Sequence, residues 1–82
     1  MYVLQKELMR YKVYMTEILR CSHDKMKLKE FAIKYLREFC ENNQIDFESS
    51  FTEDTEGNEF KIFDTQEIYI YLALRIFEVE EL

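Results

Sequence analysis

The first segment of the chain carries a hydrophobic stripe at helical spacing. Between Val3 and Arg20, apolar side chains recur in steps of four, three, four and three residues, which places them on one face of a helix. The members of this stripe are Leu4, Leu8, Tyr11, Met15 and Ile18. Polar residues occupy the positions that would continue the same phase beyond Arg20. The pattern therefore predicts a first helix that ends near Ser22.

A second stripe begins in a new phase and predicts a second helix. Its members are Leu28, Phe31, Ala32, Tyr35, Leu36 and Phe39. Ser22, His23 and Asp24 lie between the two stripes. Serine and aspartate are common at helix caps, so this segment can end one helix and begin the next. Asn42 and Asn43 are expected to end the second helix. The two segments together predict an antiparallel helical hairpin rather than one long helix.

The next segment alternates apolar and polar side chains, as a half-buried strand does. Ile45, Phe47 and Phe51 fall on one side of such a strand, and a second apolar run covers residues 60–63. The Gly57-Asn58 pair between the two runs is a turn signal. The pattern predicts a β-hairpin.

The last segment fits either a helix or a strand. Residues 68–72 have the composition of a strand, but they are apolar on both faces, so the spacing does not decide. Asp64 and Glu67 are spaced as a capping box, which favours a helix. We therefore predict a C-terminal helix in residues 68–82, with a strand as the alternative.

These elements together predict a single small α+β domain over residues 1–82. Its order is a helical hairpin, a β-hairpin and a C-terminal helix; the alternative is two helices followed by a three-stranded antiparallel meander. The predicted core is Leu8, Met15, Ile18, Phe31, Tyr35, Leu36, Phe39, Phe60, Ile62, Leu72 and Ile76. Because 82 residues bury only a limited core, a partner or a homo-oligomer is expected to supply part of the stability.

The composition indicates a folded protein inside the cell. Hydrophobic residues make up 48% of the chain and aromatic residues 16%, which excludes a disordered acidic tail. The longest apolar run, residues 68–74, is far shorter than the roughly 20 residues that a membrane helix needs. Two cysteines and a start unlike a signal peptide favour reduced thiols. We predict a soluble, cytoplasmic protein without a disulfide and without membrane insertion.

Charge is divided unevenly along the chain. Residues 1–40 carry a net charge of +4 and residues 41–82 a net charge of −10, for a total of −6. Such a division predicts an electrical dipole that orients charged partners. The net negative charge argues against direct binding of nucleic acid, because phosphate is repelled. The acidic half could instead imitate nucleic acid, with carboxylates in the place of phosphates.

The metal-binding and catalytic patterns in the chain are incomplete. Cys21, His23 and Cys40 are the only soft metal ligands, whereas a structural zinc site wants four, usually in closely spaced pairs. Residues 22–24 contain the letters of a hydrolase triad, but adjacent side chains point in different directions and cannot form the relay. We predict no zinc site and no catalytic triad.

The segment around Gly57 resembles a calcium-binding loop, but it lacks the necessary ligands. Thr52 and Phe63 occupy the first and the closing ligand positions, and neither can serve there. A single glycine after an acidic run is likewise no phosphate cradle. We therefore predict a protein that is not an enzyme and that has no catalytic, cofactor-binding or metal-binding residues.

The chain as a whole resembles a small phage-encoded regulator. Residues 1–8 read MYVLQKEL, and Lys, Glu, Tyr and Ile are frequent throughout. In this it is similar to the cytoplasmic lysis-inhibition (antiholin-like) proteins of T-even phages. The resemblance implies a soluble regulator, in the host cytoplasm, that delays lysis by binding the cytosolic part of a holin. The resemblance carries no site residues.

Two hypotheses for the function follow. In the first, a non-enzymatic regulator binds a helix of a protein partner through its apolar and aromatic surface, and charges set the orientation. In the second, the acidic half inhibits a nucleic-acid-binding protein by occupying its basic groove. Dispersed carboxylates around an exposed apolar surface favour the first hypothesis, and a contiguous acidic face favours the second.

Overall fold

The computed structural model describes residues 1–64 and 70–80, in which a helix packs on one face of a five-stranded antiparallel sheet. The elements are β1 (Tyr2–Arg10), β2 (Val13–Ser22), α1 (Lys25–Asn42), the single-turn α2 (Phe47–Ser50), β3 (Phe51–Glu53), β4 (Glu59–Asp64) and β5 (Ile70–Glu78). The strands lie side by side in the order β2-β1-β5-β4-β3. The last strand of the chain therefore lies at the centre of the sheet.

The predicted first helix is wrong, because residues 3–20 belong to the hairpin of β1 and β2. The pairing runs from Tyr2 opposite Ser22 to Arg10 opposite Val13. A helical hairpin over the first forty residues is thereby excluded, and the predicted fold is corrected to a sheet that one helix covers.

The turn of this hairpin lacks the usual sequence signals. Tyr11 and Lys12 connect the strands, and Tyr11 has a φ of 56°, a conformation that glycine or asparagine adopts more readily. A step of four residues returns to the same face in a strand as well as in a helix, so Leu4 and Leu8 share a face in both structures. The frequent β-branched and tyrosine residues favour the strand.

The predicted C-terminal helix is also wrong, because residues 70–78 form the central strand β5. This strand pairs with β1 on one side and with β4 on the other. A strand at the centre of a sheet is often apolar for most of its length. This explains the apolar run in β5, whose spacing fitted a helix and a strand equally well. The proposed capping residues 65–67 lie outside the described residues. Strands β3, β4 and β5 form the antiparallel meander of the alternative prediction, but a β-hairpin, α1 and the single-turn α2 precede it.

The predicted second helix is confirmed as α1. Its N-cap is Asp24, whose Oδ1 accepts hydrogen bonds from the backbone N–H groups of Met26 and Lys27 at 3.0 and 3.4 Å. Asn43 caps the other end and donates its backbone N–H to the Phe39 carbonyl. The buried side chains recur every four residues and are Leu28, Ala32, Leu36 and Cys40.

The predicted β-hairpin is confirmed only in its second half. Strands β3 and β4 pair around the loop that contains Gly57, whose φ of 71° suits a residue without a Cβ. Residues 45–50 were expected in the first strand, but they form a connection and the short helix α2.

The core lies between α1 and the face of the sheet that α1 covers. Five predicted core residues are buried: Leu36, Phe60, Ile62, Leu72 and Ile76. Four others pack only at its margin: Leu8, Phe31, Tyr35 and Phe39. Met15 and Ile18 are 46% and 57% exposed, so their assignment to the core is wrong. Both belong to the edge strand β2, in which Ile18 lies on the face that α1 does not cover and Met15 lies opposite Leu8 near the turn.

Candidate functional site

No element of the described residues packs against the second face of the sheet, which we call the open face. Because side chains alternate along a strand, the neighbours of the buried core residues point to this side. The open face is formed by Val3, Gln5, Glu7, Met9, Tyr14, Thr16, Ile18, Cys21, Thr52, Glu59, Lys61, Phe63, Tyr71, Ala73, Arg75 and Phe77.

A cluster of alternating charges lies at the centre of the open face. The Arg75 guanidinium donates from Nε to Glu59 at 2.7 Å, from Nη1 to Glu7 at 2.9 Å and from Nη2 to the Tyr71 hydroxyl at 3.3 Å. Lys61 Nζ lies 2.6 Å from the other oxygen of Glu59. The two cations and two anions balance one another. The cluster therefore offers neither a net charge nor unused guanidinium nitrogens to a small ion.

The environment of this cluster stabilises its charged forms. Hydrogen bonds from Lys61 and then Arg75 hold the pKa of Glu59 below its ordinary value. Partial burial works against the charge on Arg75, but hydrogen bonds to Glu59 and Glu7 more than offset it and raise the pKa of the guanidinium. The cluster is accordingly a fixed polar support of the sheet, in which the charged forms of Glu59 and Arg75 are stabilised.

An apolar row crosses four strands beside the charged cluster. Tyr14 lies opposite Met9, Met9 opposite Tyr71, and Tyr71 opposite Phe63. We call these four residues the aromatic row. Tyr14 and Phe63 are 57% and 46% exposed, and the rings of Phe63 and Tyr71 meet edge to face at 6.3 Å. With strands about 4.8 Å apart, the row is roughly 14 Å long.

The aromatic row is joined to the charged cluster by hydroxyl groups. The Tyr14 hydroxyl hydrogen-bonds the Glu7 carboxylate, which raises the pKa of Tyr14. The Tyr71 hydroxyl accepts the hydrogen bond from Arg75. Both rings are thus anchored at their polar ends while their apolar edges stay accessible. The row combines fixed geometry with exposed apolar area, which is how binding surfaces often use tyrosine.

The predicted soft metal ligands do not come together. Cys21 is exposed in β2, whereas Cys40 is buried near the C-terminal end of α1. His23 lies in the connection between these two elements. In the part of the chain that the structure describes, no group of three or more His, Cys, Asp or Glu side chains is placed to hold a metal ion. The absence of a bound metal stays a prediction.

Residues 22–24 are of the residue types found in a hydrolase triad, but they form the turn that leads into α1 and its N-cap. Ser22 Oγ accepts a hydrogen bond from the backbone N–H of Asp24 at 3.0 Å. The Asp24 carboxylate caps the helix, so its Oδ1 is already committed to backbone donors. This geometry gives the segment a structural role at the turn.

The carboxylate of Asp54 closes the loop between β3 and β4. Its Oδ1 accepts hydrogen bonds from the backbone N–H groups of Asn58 at 2.7 Å and Glu59 at 2.9 Å. Hydrogen bonds from Glu59 and Asn58 hold the pKa of Asp54 below its ordinary value. The loop that resembled a calcium site in sequence thus uses this carboxylate to order its own backbone.

The division of charge along the sequence is not a division in space. Strand β1 from the basic half lies beside β5 from the acidic half, and Glu7 pairs with Arg75 across them. Lys29 pairs with Glu53 at 3.0 Å, and Arg37 with Glu48 at 3.7 Å. Ion pairs therefore join the two halves of the sequence in the folded protein.

Comparison with protein-family models, with curated proteins and with solved structures gives no match for this chain. None of the described helices is long and apolar enough to cross a membrane. The open face is not visible in the sequence, because its residues come together only through the strand register. Residues 13–18 show no clear alternation of apolar and polar side chains, so their own pattern did not reveal the strand.

Proposed function

We propose that this protein is a non-enzymatic regulator that binds an amphipathic helix of a protein partner on its open face. The observation that carries this proposal is the aromatic row, in which Met9, Tyr14, Phe63 and Tyr71 line up across four strands. A row of this kind, exposed on one side of a small domain, is typical of a surface that a partner covers. Its anchored tyrosines lose little freedom on binding.

The dimensions and charges of the surface suit a helix. A row of roughly 14 Å spans about nine residues of helix at 1.5 Å per residue, enough for apolar anchors at positions i, i+3, i+4 and i+7. The charged cluster around Arg75 runs along one flank of the row and exposes groups of both signs. A partner helix with an apolar stripe and a mixed polar flank would match both features. The charges then fix orientation more than they add affinity.

The resemblance to lysis-inhibition proteins of T-even phages supplies a specific partner for this proposal. In those proteins the bound element is the cytosolic part of a holin. We accordingly propose that the open face binds this segment in the cytoplasm of the host cell and thereby delays lysis. This identification rests on the resemblance, whereas the choice of surface rests on the aromatic row.

The acidic-mimic hypothesis has less support. Carboxylates on several elements are committed to cations of the same chain, namely Glu7, Glu17, Glu48, Glu53 and Glu59. A nucleic-acid mimic needs a contiguous set of unpaired carboxylates instead. If mimicry operated, binding would fall steeply with salt, as it does when phosphate contacts are lost.

A binding experiment with matched variants tests the proposal. A fluorescently labelled peptide of the cytosolic segment of a T-even holin is titrated with the wild type, Phe63→Glu and Met26→Glu. Phe63 lies in the aromatic row, whereas Met26 is 59% exposed on α1 at a distance from it. We expect Phe63→Glu to weaken binding at least tenfold, about 1.4 kcal/mol, and Met26→Glu to leave it unchanged. Equal affinities for all three proteins would contradict the assignment of the surface.

A further inference from the structure

We propose that two copies of this chain associate through the free edge of β2 and form one continuous antiparallel sheet. This strand is ten residues long and, in the strand order of the described residues, pairs on one side only, with β1. Three of its apolar side chains, Val13, Tyr14 and Ile18, are at least 57% exposed. The first six residues of β2, Val13–Ile18, pair regularly with β1, and an exposed, largely apolar edge of this kind is a template for a further strand.

The edge also lacks the usual protection against pairing. Among residues 13–19 the only charge is that of Glu17, and the segment contains neither proline nor lysine. The β1–β2 register has its irregularity at Leu19, the extra residue between the partners of Leu4 and Gln5, so the regular part of this edge is residues 13–18. The opposite edge of the sheet, β3, is only three residues long and carries Glu53. The accessible backbone groups of a long regular edge are therefore concentrated on β2.

The side chains of β2 are complementary to a second copy of β2 in one antiparallel register. With Thr16 on a two-fold axis, Tyr14 lies opposite Ile18 of the second copy on the open face. On the other face Met15 lies opposite Glu17, and Val13 faces Leu19, the extra residue at the irregularity of β2. Pairs of aromatic with β-branched residues, and of threonine with threonine, are among those that stabilise antiparallel strands. Within residues 14–18 no like charges lie opposite each other, and the nearest like-charged pair is Lys12 with Arg20, which lie beyond the regular paired segment.

Neighbouring registers are worse for identifiable reasons. A shift by one residue would place side chains of the open face opposite side chains of the covered face. An axis through Glu17 would put two carboxylates directly opposite each other. An axis through Met15 would pair residues 13–17 and leave the exposed Ile18 outside the paired segment. The self-complementarity around Thr16 is the reason to assign the edge to a second copy rather than to a strand of another protein.

The proposed dimer places both open faces on the same side of a continuous sheet, because the two-fold axis is perpendicular to it. Each Tyr14 would then stand at the junction of the two copies. This inference does not depend on the function proposed above. The variant Phe63→Glu, which tests partner binding, changes β4 and is expected to leave the dimer intact.

Sedimentation velocity of the full chain under reducing conditions tests the association. We expect a dimer for the wild type and for Met26→Lys, and a monomer for Ile18→Lys. Ile18 and Met26 are 57% and 59% exposed, so both substitutions add the same charge at sites that the fold does not need. A wild type that stays monomeric up to about 500 µM, far above a micromolar dissociation constant, would overturn the proposal. Larger assemblies, or a dimer that Ile18→Lys leaves intact, would overturn it as well.

Disulfide trapping tests the register. Thr16→Cys and Tyr14→Cys are each made with Cys21→Ser, which removes the cysteine that is exposed in the wild type. With oxidised glutathione, the thiols introduced at position 16 of the two copies form one interchain disulfide, and the glutathione disulfide is reduced to two glutathione thiols. We expect Thr16→Cys to cross-link at least tenfold faster than Tyr14→Cys, whose thiol would lie opposite Ile18. Equal rates would refute the register, and the absence of any cross-link at position 16 would refute the pairing of β2 with itself.

Discussion

Alanine substitutions in the β1–β2 hairpin distinguish the observed sheet from the helix that the sequence suggests, because the two structures bury different side chains. Leu4 is fully buried in the core, whereas Met15 and Ile18 are 46% and 57% exposed on β2. Leu4→Ala removes three buried carbon groups at about 0.8 kcal/mol each, or about 2.4 kcal/mol, and the remaining cavity adds to this. We expect Leu4→Ala to lower the free energy of unfolding by about 3–4 kcal/mol.

The same substitution at the exposed positions is expected to be mild. Met15→Ala and Ile18→Ala lose little buried area, so each should cost less than about 1 kcal/mol, part of it through the lower strand preference of alanine. Urea unfolding followed by circular dichroism measures all three, at low protein concentration so that association does not contribute. If Met15→Ala or Ile18→Ala cost as much as Leu4→Ala, the truncated side chain would be buried as deeply as Leu4, as the helical stripe predicted. That result would refute the hairpin.

Three further predictions concern groups that hold the fold. Asp24→Ala should cost about 1 kcal/mol in urea unfolding, because α1 loses its N-cap; no change would mean that the cap is not formed in solution. Glu59 has a lowered pKa, so its contribution is present above its ordinary value of 4.5 and is lost as the pH falls through the folded value; Glu59→Gln should flatten the acid side of the stability curve, and an unchanged curve would refute this. Arg75→Met should cost about 2 kcal/mol by leaving the partly buried Glu7 carboxylate without its cation, and adding Glu7→Gln should restore part of the loss; strictly additive effects would show that the two side chains do not interact.

Helix α1 could be predicted from the sequence because its signals are local. Asp24 supplies the N-cap, Asn43 ends the helix, and the apolar stripe from Leu28 to Phe39 has no competing interpretation. The β3–β4 hairpin could also be predicted in part from the sequence, because Gly57 marks its loop. In these segments, neighbouring residues alone decide the structure.

The β1–β2 hairpin could not be predicted in the same way. Its turn at Tyr11 contains no glycine, asparagine or proline, and the step of four from Leu4 to Leu8 fits a strand and a helix equally. Strand β5 was ambiguous because its burial depends on neighbours distant in the sequence. A central position in the sheet, rather than its own pattern, makes it a strand.

The open face could not be predicted from the sequence, because its residues are brought together only by the register of the strands. Glu7 and Arg75 are 68 residues apart in the chain, yet their side chains meet at 2.9 Å. The aromatic row likewise draws one residue from each of four strands. Predicting these neighbours requires the strand order first, and that order depends on the hairpin that the helical stripe concealed.

Mapping the bound surface by NMR would decide whether the open face is the partner-binding surface. The labelled protein is titrated with the unlabelled peptide of a T-even holin's cytosolic segment, and the resonances of Met9, Tyr14, Phe63 and Tyr71 are followed. We expect the largest shift changes at these four residues, with the exposed side of α1 around Met26 unaffected. Changes concentrated on α1 or in the β3–β4 loop, with the aromatic row unperturbed, would contradict the proposed function.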